Sequence, residues 1–229
     1  MLNIKDAPAS FFPSGHEYLL PMFPEYDYLR PHEPEKMDYA RPDNQVGYQQ
    51  RCFIVKWAIE QCGRTGKVGL DIGSYGIMTP YCLSTDKFMT TAHPDYNGGT
   101  CIPQLKLSGE DLSIIGDGTI PLIVGNHVFE HLEGDAVKLL REQWLPKLCP
   151  GGIIAQVIPD NYYCDVMSMD SSHKQCWTAK EFEQLVLGQI LDMAEVVQFN
   201  TSKNNFSFNF VVRKKGNAFY FVLAGTVLI

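Results

Sequence analysis

The chain has 229 residues, of which 45% are hydrophobic and 20% are charged, and these ordinary values exclude wholesale disorder. Its formal net charge of −7 gives it no overall attraction for nucleic acid or for an anionic membrane surface, so neither is an expected partner. The apolar stretches are also too short for a membrane-spanning helix, which needs about 20 residues.

Cysteine usage and the first residues of the chain indicate the cellular compartment that we expect for the protein. The seven cysteines contain no Cys-x-x-Cys pair, so the usual spacing of a zinc knuckle is absent. Residues 1–13 contain no apolar segment of the kind found in a secretory signal. Scattered thiols without such a signal favour a reducing environment, and we expect a cytoplasmic protein.

Composition divides the chain into three segments. Residues 1–45 contain seven prolines, which exclude long helices, and are predicted to form an extended arm or lid; a partly disordered leader is the alternative. Residues 46–215 carry the regular alternation of a folded domain. Residues 216–229 form an apolar tail that fits an added edge strand, a homodimer contact or an exposed end.

Hydrophobic periodicity predicts four helices and seven strands after the arm. The helices are expected at residues 45–61, 77–84, 135–148 and 178–187. Thr178 and Glu181 occupy the two positions of a capping box at the start of the last helix. The strands are expected at residues 67–72, 87–92, 104–107, 120–125, 152–158, 191–199 and 206–212.

The order of these elements indicates the fold class. Strands that alternate with helices form stacked βαβ units, which predicts a doubly wound α/β sandwich with a mainly parallel sheet. The last two strands have no helix between them, so they are expected to pair antiparallel as an edge hairpin. Ligands of such sheets bind at the carboxyl ends of the strands.

Three motifs lie next to predicted strands. Residues 68–76 (V-G-L-D-I-G-S-Y-G) run from a strand into a glycine-bearing turn, whose backbone N–H groups can approach a ligand closely. Residues 125–132 (G-N-H-V-F-E-H-L) follow the most apolar strand directly. Residues 148–154 (L-C-P-G-G-I-I) end a helix and open the next strand.

Together, these motifs resemble the class I S-adenosylmethionine-dependent methyltransferases, in particular the broad type 11-like group with E-H-L after the fourth strand and L-K-P-G-G before the fifth. The resemblance covers residues 64–214. It implies a Rossmann-like fold, S-adenosylmethionine as the cofactor, and transfer of its methyl group to an O- or N-nucleophile. The acidic charge favours a small-molecule acceptor over a nucleic acid.

The resemblance also assigns cofactor-binding residues. Asp71 and Gly73 match the acid and the first glycine of the cofactor loop, while Tyr75 stands where the family has its second glycine. Asp95, with His93 as its rival, matches the acid after the second strand that holds the ribose hydroxyls. The further candidates are Ser74 and Gly76 in the loop, Glu110 and Asp111 at the adenine edge, and Asn126 near the sulfonium.

The reacting groups are expected after the fourth and fifth strands. His127 is the candidate general base, because the ordinary pKa of an imidazole, near 6.5, suits proton transfer; a packing role at the sheet edge is the alternative. Residues 161–163 (N-Y-Y) are placed where the family contacts the acceptor. His173 and Trp177 precede a helix and are candidates for closing the site.

Two other classes of protein remain open. His127, Glu130 and His131 spell the H-x-x-E-H motif of a metallopeptidase, which requires the motif to lie within a helix. Some quinone-biosynthetic O-methyltransferases have a similar E-x-x-E-H element linked to a divalent metal, so the same three residues are candidate metal ligands. Since Tyr75 departs from the family pattern, a non-catalytic binding protein that kept the fold is the second alternative.

Overall fold

The computed structural model describes residues 50, 53–63, 67–74, 79–87, 103–202 and 206–216. Seven strands form one sheet. They are β1 (Gly69–Ile72), β2 (Cys82–Asp86), β3 (Leu105–Lys106), β4 (Ile120–Asn126), β5 (Leu148–Pro159), β6 (Ala194–Ser202) and β7 (Ser207–Lys214). Their order across the sheet is β3-β2-β1-β4-β5-β7-β6.

The direction of the strands confirms the predicted fold class. The five strands from β3 to β5 are mutually parallel. β7 pairs antiparallel with both β5 and β6, which gives the expected edge hairpin. The sheet is therefore mainly parallel with an antiparallel edge, as in a doubly wound α/β protein.

Helices cover both sides of the sheet. α1 occupies residues 53–63, α2 residues 136–147, α3 Val166–Met169 and α4 residues 179–190, and Phe129–His131 form one turn of 3₁₀ helix. The Asp135 side chain caps α2 by accepting from the Lys138 N–H. Thr178 and Glu181 form the predicted capping box of α4, so both helix starts agree with the sequence.

The core consists of two layers that β5 separates. Ile154 and Ile158 face the larger layer, which also contains Trp144 of α2 and Phe182 of α4. The odd-numbered residues of this part of β5 face the smaller layer, which also contains α1; they are Ile153, Ala155 and Val157. Because successive strand residues point to opposite faces, a strand with apolar residues on both faces must be covered on both sides.

The second strand lies earlier in the chain than the sequence pattern predicted. Residues 82–86 form β2 and residues 80–81 form a turn, so the helix expected over 77–84 is wrong for residues 79–84. Of the strand expected over 87–92, only residue 87 is described, and it forms a bend. Gly69 pairs in parallel with Cys82, which leaves nine residues, 73–81, to join the two strands. This connection is shorter than the dozen or so residues that a helical crossover between parallel strands needs.

Several predictions fall on other parts of the chain. The N-terminal arm (1–45), residues 88–102 and the tail after residue 216 lie outside the described residues. Within the part that the structure does describe, no helix is long and apolar enough to cross a membrane.

Replacing Thr178 by alanine is expected to lower the free energy of unfolding by about 1 kcal/mol, because the N-cap oxygen that accepts from the Glu181 N–H is lost. Thr178→Ser keeps that oxygen, so its free energy of unfolding should stay within roughly a few tenths of a kcal/mol of the wild-type value. Urea unfolding measures the free energy of unfolding of both variants, and we expect the m-value to stay unchanged. Equal destabilisation by serine and alanine would show that the cap does not stabilise α4.

Candidate functional site

β1 and β4 are parallel neighbours, and we call the region outside their carboxyl ends the crevice. The strand order reverses its direction between these two strands, and open α/β sheets bind their ligands outside the carboxyl ends at such a switch point. Gly73 and Ser74 follow β1 there, Asp86 ends β2, and Asn126 and His127 lie at the end of β4. The fold thus brings together candidate residues from three strands.

The turn after β1 is packed tightly against the segment after β4. Gly73 has a φ of 64°, which favours glycine, and a Cβ there would lie 2.5 Å from Cγ2 of Val128. Asp71 is fully buried, and its Oδ2 accepts a 2.5 Å hydrogen bond from Oγ1 of Thr79. The glycine and the acid therefore both hold the local structure together. Tyr75 and Gly76, the other loop candidates, lie outside the described residues.

Two polar atoms in the crevice have no hydrogen-bond partner among the described residues. They are Oγ of Ser74, a residue that is only 3% exposed, and the buried Oδ1 of Asn126. Since most buried polar atoms in folded proteins are paired, atoms of this kind are satisfied by water or by a ligand. Both residues were predicted to contact the cofactor, and they lie at the ends of β1 and β4.

Asp86 is the acid at the end of β2, and sequence reasoning missed it. It lies 15 residues after Asp71 and is 8% exposed, and its backbone carbonyl accepts from the Leu107 N–H. The predicted candidates, Asp95 and His93, lie outside the described residues. The signal that was available is the sequence C-L-S-T-D, which ends a short run of small and apolar residues with an acid.

The carboxylates of Glu110 and Asp111 both accept hydrogen bonds from neighbouring loop residues. Glu110 accepts from Oγ of Ser108 through one carboxylate oxygen and from the Glu133 N–H through the other. Asp111 accepts from the Ser113 N–H, and the hydrogen bonds from Ser113 lower the pKa of the Asp111 carboxyl. The hydrogen bond to Glu133 joins the loop after β3 to the segment after β4, whereas the Asp111 contact is local to that loop.

His127 occupies an unusual backbone conformation at the end of β4. Its φ of 55° lies in the left-handed region, and its N–H donates to the Val157 carbonyl of β5. Its Nε2 lies 3.3 Å from Oγ of Ser207, which in turn accepts from the Gln50 amide. Burial, followed by the nearby histidines, lowers the pKa of His127 to about 4, so the ring is neutral at physiological pH.

The structure brings together a different metal-ligand group from the one that the sequence suggested. Glu130 and His131 lie beside His173, and one possible ligand atom from each lies within 4.8 Å of the others. His127 is not part of this group. The H-x-x-E-H motif is not helical either, since His127 is left-handed and only Phe129–His131 form a turn. The metallopeptidase alternative is therefore wrong.

The segment after β5 contains the predicted acceptor contacts. A shallow pocket of about 340 Å³ is lined by residues 161–165. Tyr162 is 75% exposed and Tyr163 is 37% exposed, and their rings contact each other edge to face. Asp160 fixes this segment, because its Oδ1 accepts from the N–H groups of Tyr162 and Ala179.

Sequence comparison finds no protein-family model and no curated protein that matches the chain. Solved structures do match. A Listeria monocytogenes protein described as an S-adenosylmethionine-dependent methyltransferase gives a TM-score of 0.50 at 9% identity, over 76% of this chain and 100% of that one. N-methyltransferase NodS from Bradyrhizobium japonicum WM9 gives a TM-score of 0.48 at 15% identity, over 76% of this chain and 99% of that one.

A third similar structure is 1,6-didemethyltoxoflavin-N1-methyltransferase from Burkholderia thailandensis with bound S-adenosylhomocysteine. It gives a TM-score of 0.45 at 11% identity, over 76% of this chain and 83% of that one. At such low identities, the likeness concerns the fold alone. Together with the strand order, the likeness to the Listeria protein shows that this chain has the fold of the class I S-adenosylmethionine-dependent methyltransferases.

Proposed function

We propose that the chain binds S-adenosylmethionine in the crevice at the ends of β1, β2 and β4 and transfers its methyl group to a small-molecule acceptor. The observation that supports this function best is the set of groups at the switch point. Ser74 and Asn126 each present a buried polar atom without a partner in the described structure, and Asp86 ends the neighbouring strand. A polar ligand with hydroxyl and amino groups fits this set.

Asp86 is the proposed anchor for the ribose. A carboxylate can accept hydrogen bonds from two neighbouring hydroxyls at once, and charge-assisted bonds of this kind are stronger than neutral ones. Asp86 ends β2, the strand beside β1, which is the position that the family resemblance assigns to the ribose acid. Asp86 therefore takes the role first assigned to Asp95 in this proposal.

Asn126 and His127 are the proposed groups on the reacting side of the crevice. Bound S-adenosylmethionine supplies an activated methyl group on its sulfonium, so the protein has to position the acceptor and exclude water. The neutral His127 ring carries a lone pair that can accept a hydrogen bond from an O–H or N–H group of the acceptor. Its pKa of about 4 makes it a weaker base than an ordinary imidazole, so we assign it a positioning role first. Oγ of Ser207 contacts this ring at Nε2, and the Val157 carbonyl of β5 holds the backbone N–H of His127.

The tight packing around Gly73 favours a second candidate function. Val128 already fills the space that the absent side chain of Gly73 leaves, and only nine residues join β1 to β2. Both features reduce the room for the amino-acid half of the cofactor beside the glycine turn. A binding protein that kept the methyltransferase fold without its catalytic activity is therefore the alternative.

Calorimetric titration with S-adenosylhomocysteine separates the two candidates. We expect micromolar binding to the full chain, and Asp86→Asn should weaken it about 10- to 100-fold, because a charge-assisted hydrogen bond contributes about 1.5–3 kcal/mol. Asp192→Asn is the matched control, since this exposed acid pairs with Arg141. Absence of binding to the wild-type chain would overturn the proposed function and favour the non-catalytic protein.

Ser74→Ala is expected to weaken ligand binding without lowering the stability of the fold. The Ser74 hydroxyl has no partner among the described residues, so its removal should leave the free energy of unfolding unchanged or raise it by up to about 1 kcal/mol. Affinity for S-adenosylhomocysteine should fall about 3- to 10-fold, because one hydrogen bond to the ligand contributes roughly 1 kcal/mol.

Urea unfolding and calorimetry on the same preparation measure both quantities for this variant. Ser168→Ala in α3 is the control for loss of a hydroxyl at an exposed position. A Ser74→Ala protein that binds as tightly as wild type would show that this hydroxyl does not contact the ligand.

A further inference from the structure

Glu130, His131 and His173 form a cluster beside the crevice, which we call the E-H-H cluster. Glu130 and His131 belong to the 3₁₀ turn after β4, and His173 comes from the segment between α3 and α4. A possible ligand atom from each residue lies within 4.8 Å of the other two. The imidazole rings of His131 and His173 are 4.5 Å apart, with their planes inclined by 63°.

Contacts outside the cluster hold its two halves in place independently of the Glu130, His131 and His173 side chains. The carbonyl of Glu130 accepts from the N–H groups of Lys174 and Gln175, at 2.8 and 3.2 Å. The Gln175 side chain donates to the Leu132 carbonyl at 2.7 Å. The residue after His173 is thus fixed directly to the turn that carries Glu130, and the cluster is preformed.

The hydrogen bonds around His131 define which of its nitrogens carries the proton. Oγ of Ser172 lies 2.7 Å from Oδ1 of Asp170 and 2.9 Å from Nδ1 of His131. A hydroxyl has a single proton, which Ser172 donates to the carboxylate, so Ser172 accepts from His131. Nδ1 of His131 therefore carries its hydrogen, and Nε2 keeps a lone pair.

His173 has the same tautomer for a simpler reason. Its Nδ1 lies 2.5 Å from the backbone carbonyl of Val166, and a carbonyl oxygen can only accept a hydrogen bond. Nε2 of His173 is therefore also left with a lone pair. Histidine ligands of metals typically donate their second ring N–H to a carbonyl or to a carboxylate network, as both of these rings do.

Glu130 completes the cluster with a buried carboxyl group. It is fully buried, and neither of its carboxylate oxygens has a hydrogen-bond partner in the described part of the chain. Nδ1 of His127 lies 3.5 Å from Oε1, but that ring is neutral at physiological pH. The ionised form of Glu130 would therefore be left without a compensating charge among the described residues. A bound cation would supply that compensation.

We propose that Glu130, His131 and His173 bind a divalent transition-metal ion, and zinc fits the donor set best. Two imidazole nitrogens and one carboxylate oxygen are typical zinc ligands, whereas magnesium prefers oxygen ligands throughout. Three protein ligands leave the fourth tetrahedral position for water or another group. The ion would link the segment before α4 to the turn after β4, beside His127.

Metal titration of the purified full-length chain, after removal of metals with a chelator, tests this site. We expect one equivalent of Zn²⁺ to bind and to raise the melting temperature, since a ligand that binds only the folded state stabilises it. Co²⁺ should give the visible bands of a four-coordinate ion without a thiolate charge-transfer band, which excludes binding at the cysteines. No binding of Zn²⁺, or equal binding of Mg²⁺, would overturn the proposed site.

Variants of the cluster identify the ligands. Loss of an outer-shell partner typically weakens metal binding roughly 10- to 100-fold, and we expect a loss of Zn²⁺ affinity in this range for Ser172→Ala. His173→Gln and Glu130→Gln should each weaken Zn²⁺ binding by more than this. Glu183→Gln in α4 is the exposed control. Without metal, Glu130→Gln should be at least as stable as wild type, because a buried carboxyl becomes a neutral amide. Unchanged Zn²⁺ affinity in folded His173→Gln would contradict the site.

Discussion

The organisation of the candidate site depends on the burial of β4 between β1 and β5. Residues 120–125 of this strand are all buried, and parallel neighbours on both sides fix where it ends. The segment that follows β4 then contacts the turn after β1, the loop after β3 and the segment before α4. Val128 covers Gly73, the Glu133 N–H binds Glu110, and the Glu130 carbonyl holds the segment before α4. A shift in the end of β4 would therefore displace all of these contacts at once.

Elements with strong local signals could be predicted from the sequence, and elements defined by distant partners could not. The strand at residues 120–125 and the capping box at Thr178 follow from apolar patterning and from local hydrogen bonding, so both were found. β2 has few apolar residues of its own, and pairing with β1 makes it a strand. His173 approaches His131 from 42 residues away, a distance that no local pattern encodes.

The buried polar atoms without partners differ in what they indicate. Ser74, Asn126 and Glu130 lie where strands end at the edge of the sheet, and each such atom costs about 1–3 kcal/mol of stability unless a ligand or water pairs with it. Gln156 also has an amide without partners in the described structure, but it packs against Gly125 within the sheet. Position at the carboxyl edge, rather than lack of a partner alone, therefore marks the candidate ligand groups.

The short connection after β1 changes how this chain can hold a nucleoside ligand. In a doubly wound fold, a crossover helix normally starts at the first glycine turn and offers its N-terminal N–H groups to the ligand. Here nine residues join β1 to β2, and Val128 rather than a ligand fills the space beside Gly73. Recognition should therefore depend less on the glycine turn and more on the side chains at the neighbouring strand ends. Asp86 and Asn126 occupy these two positions, on either side of β1.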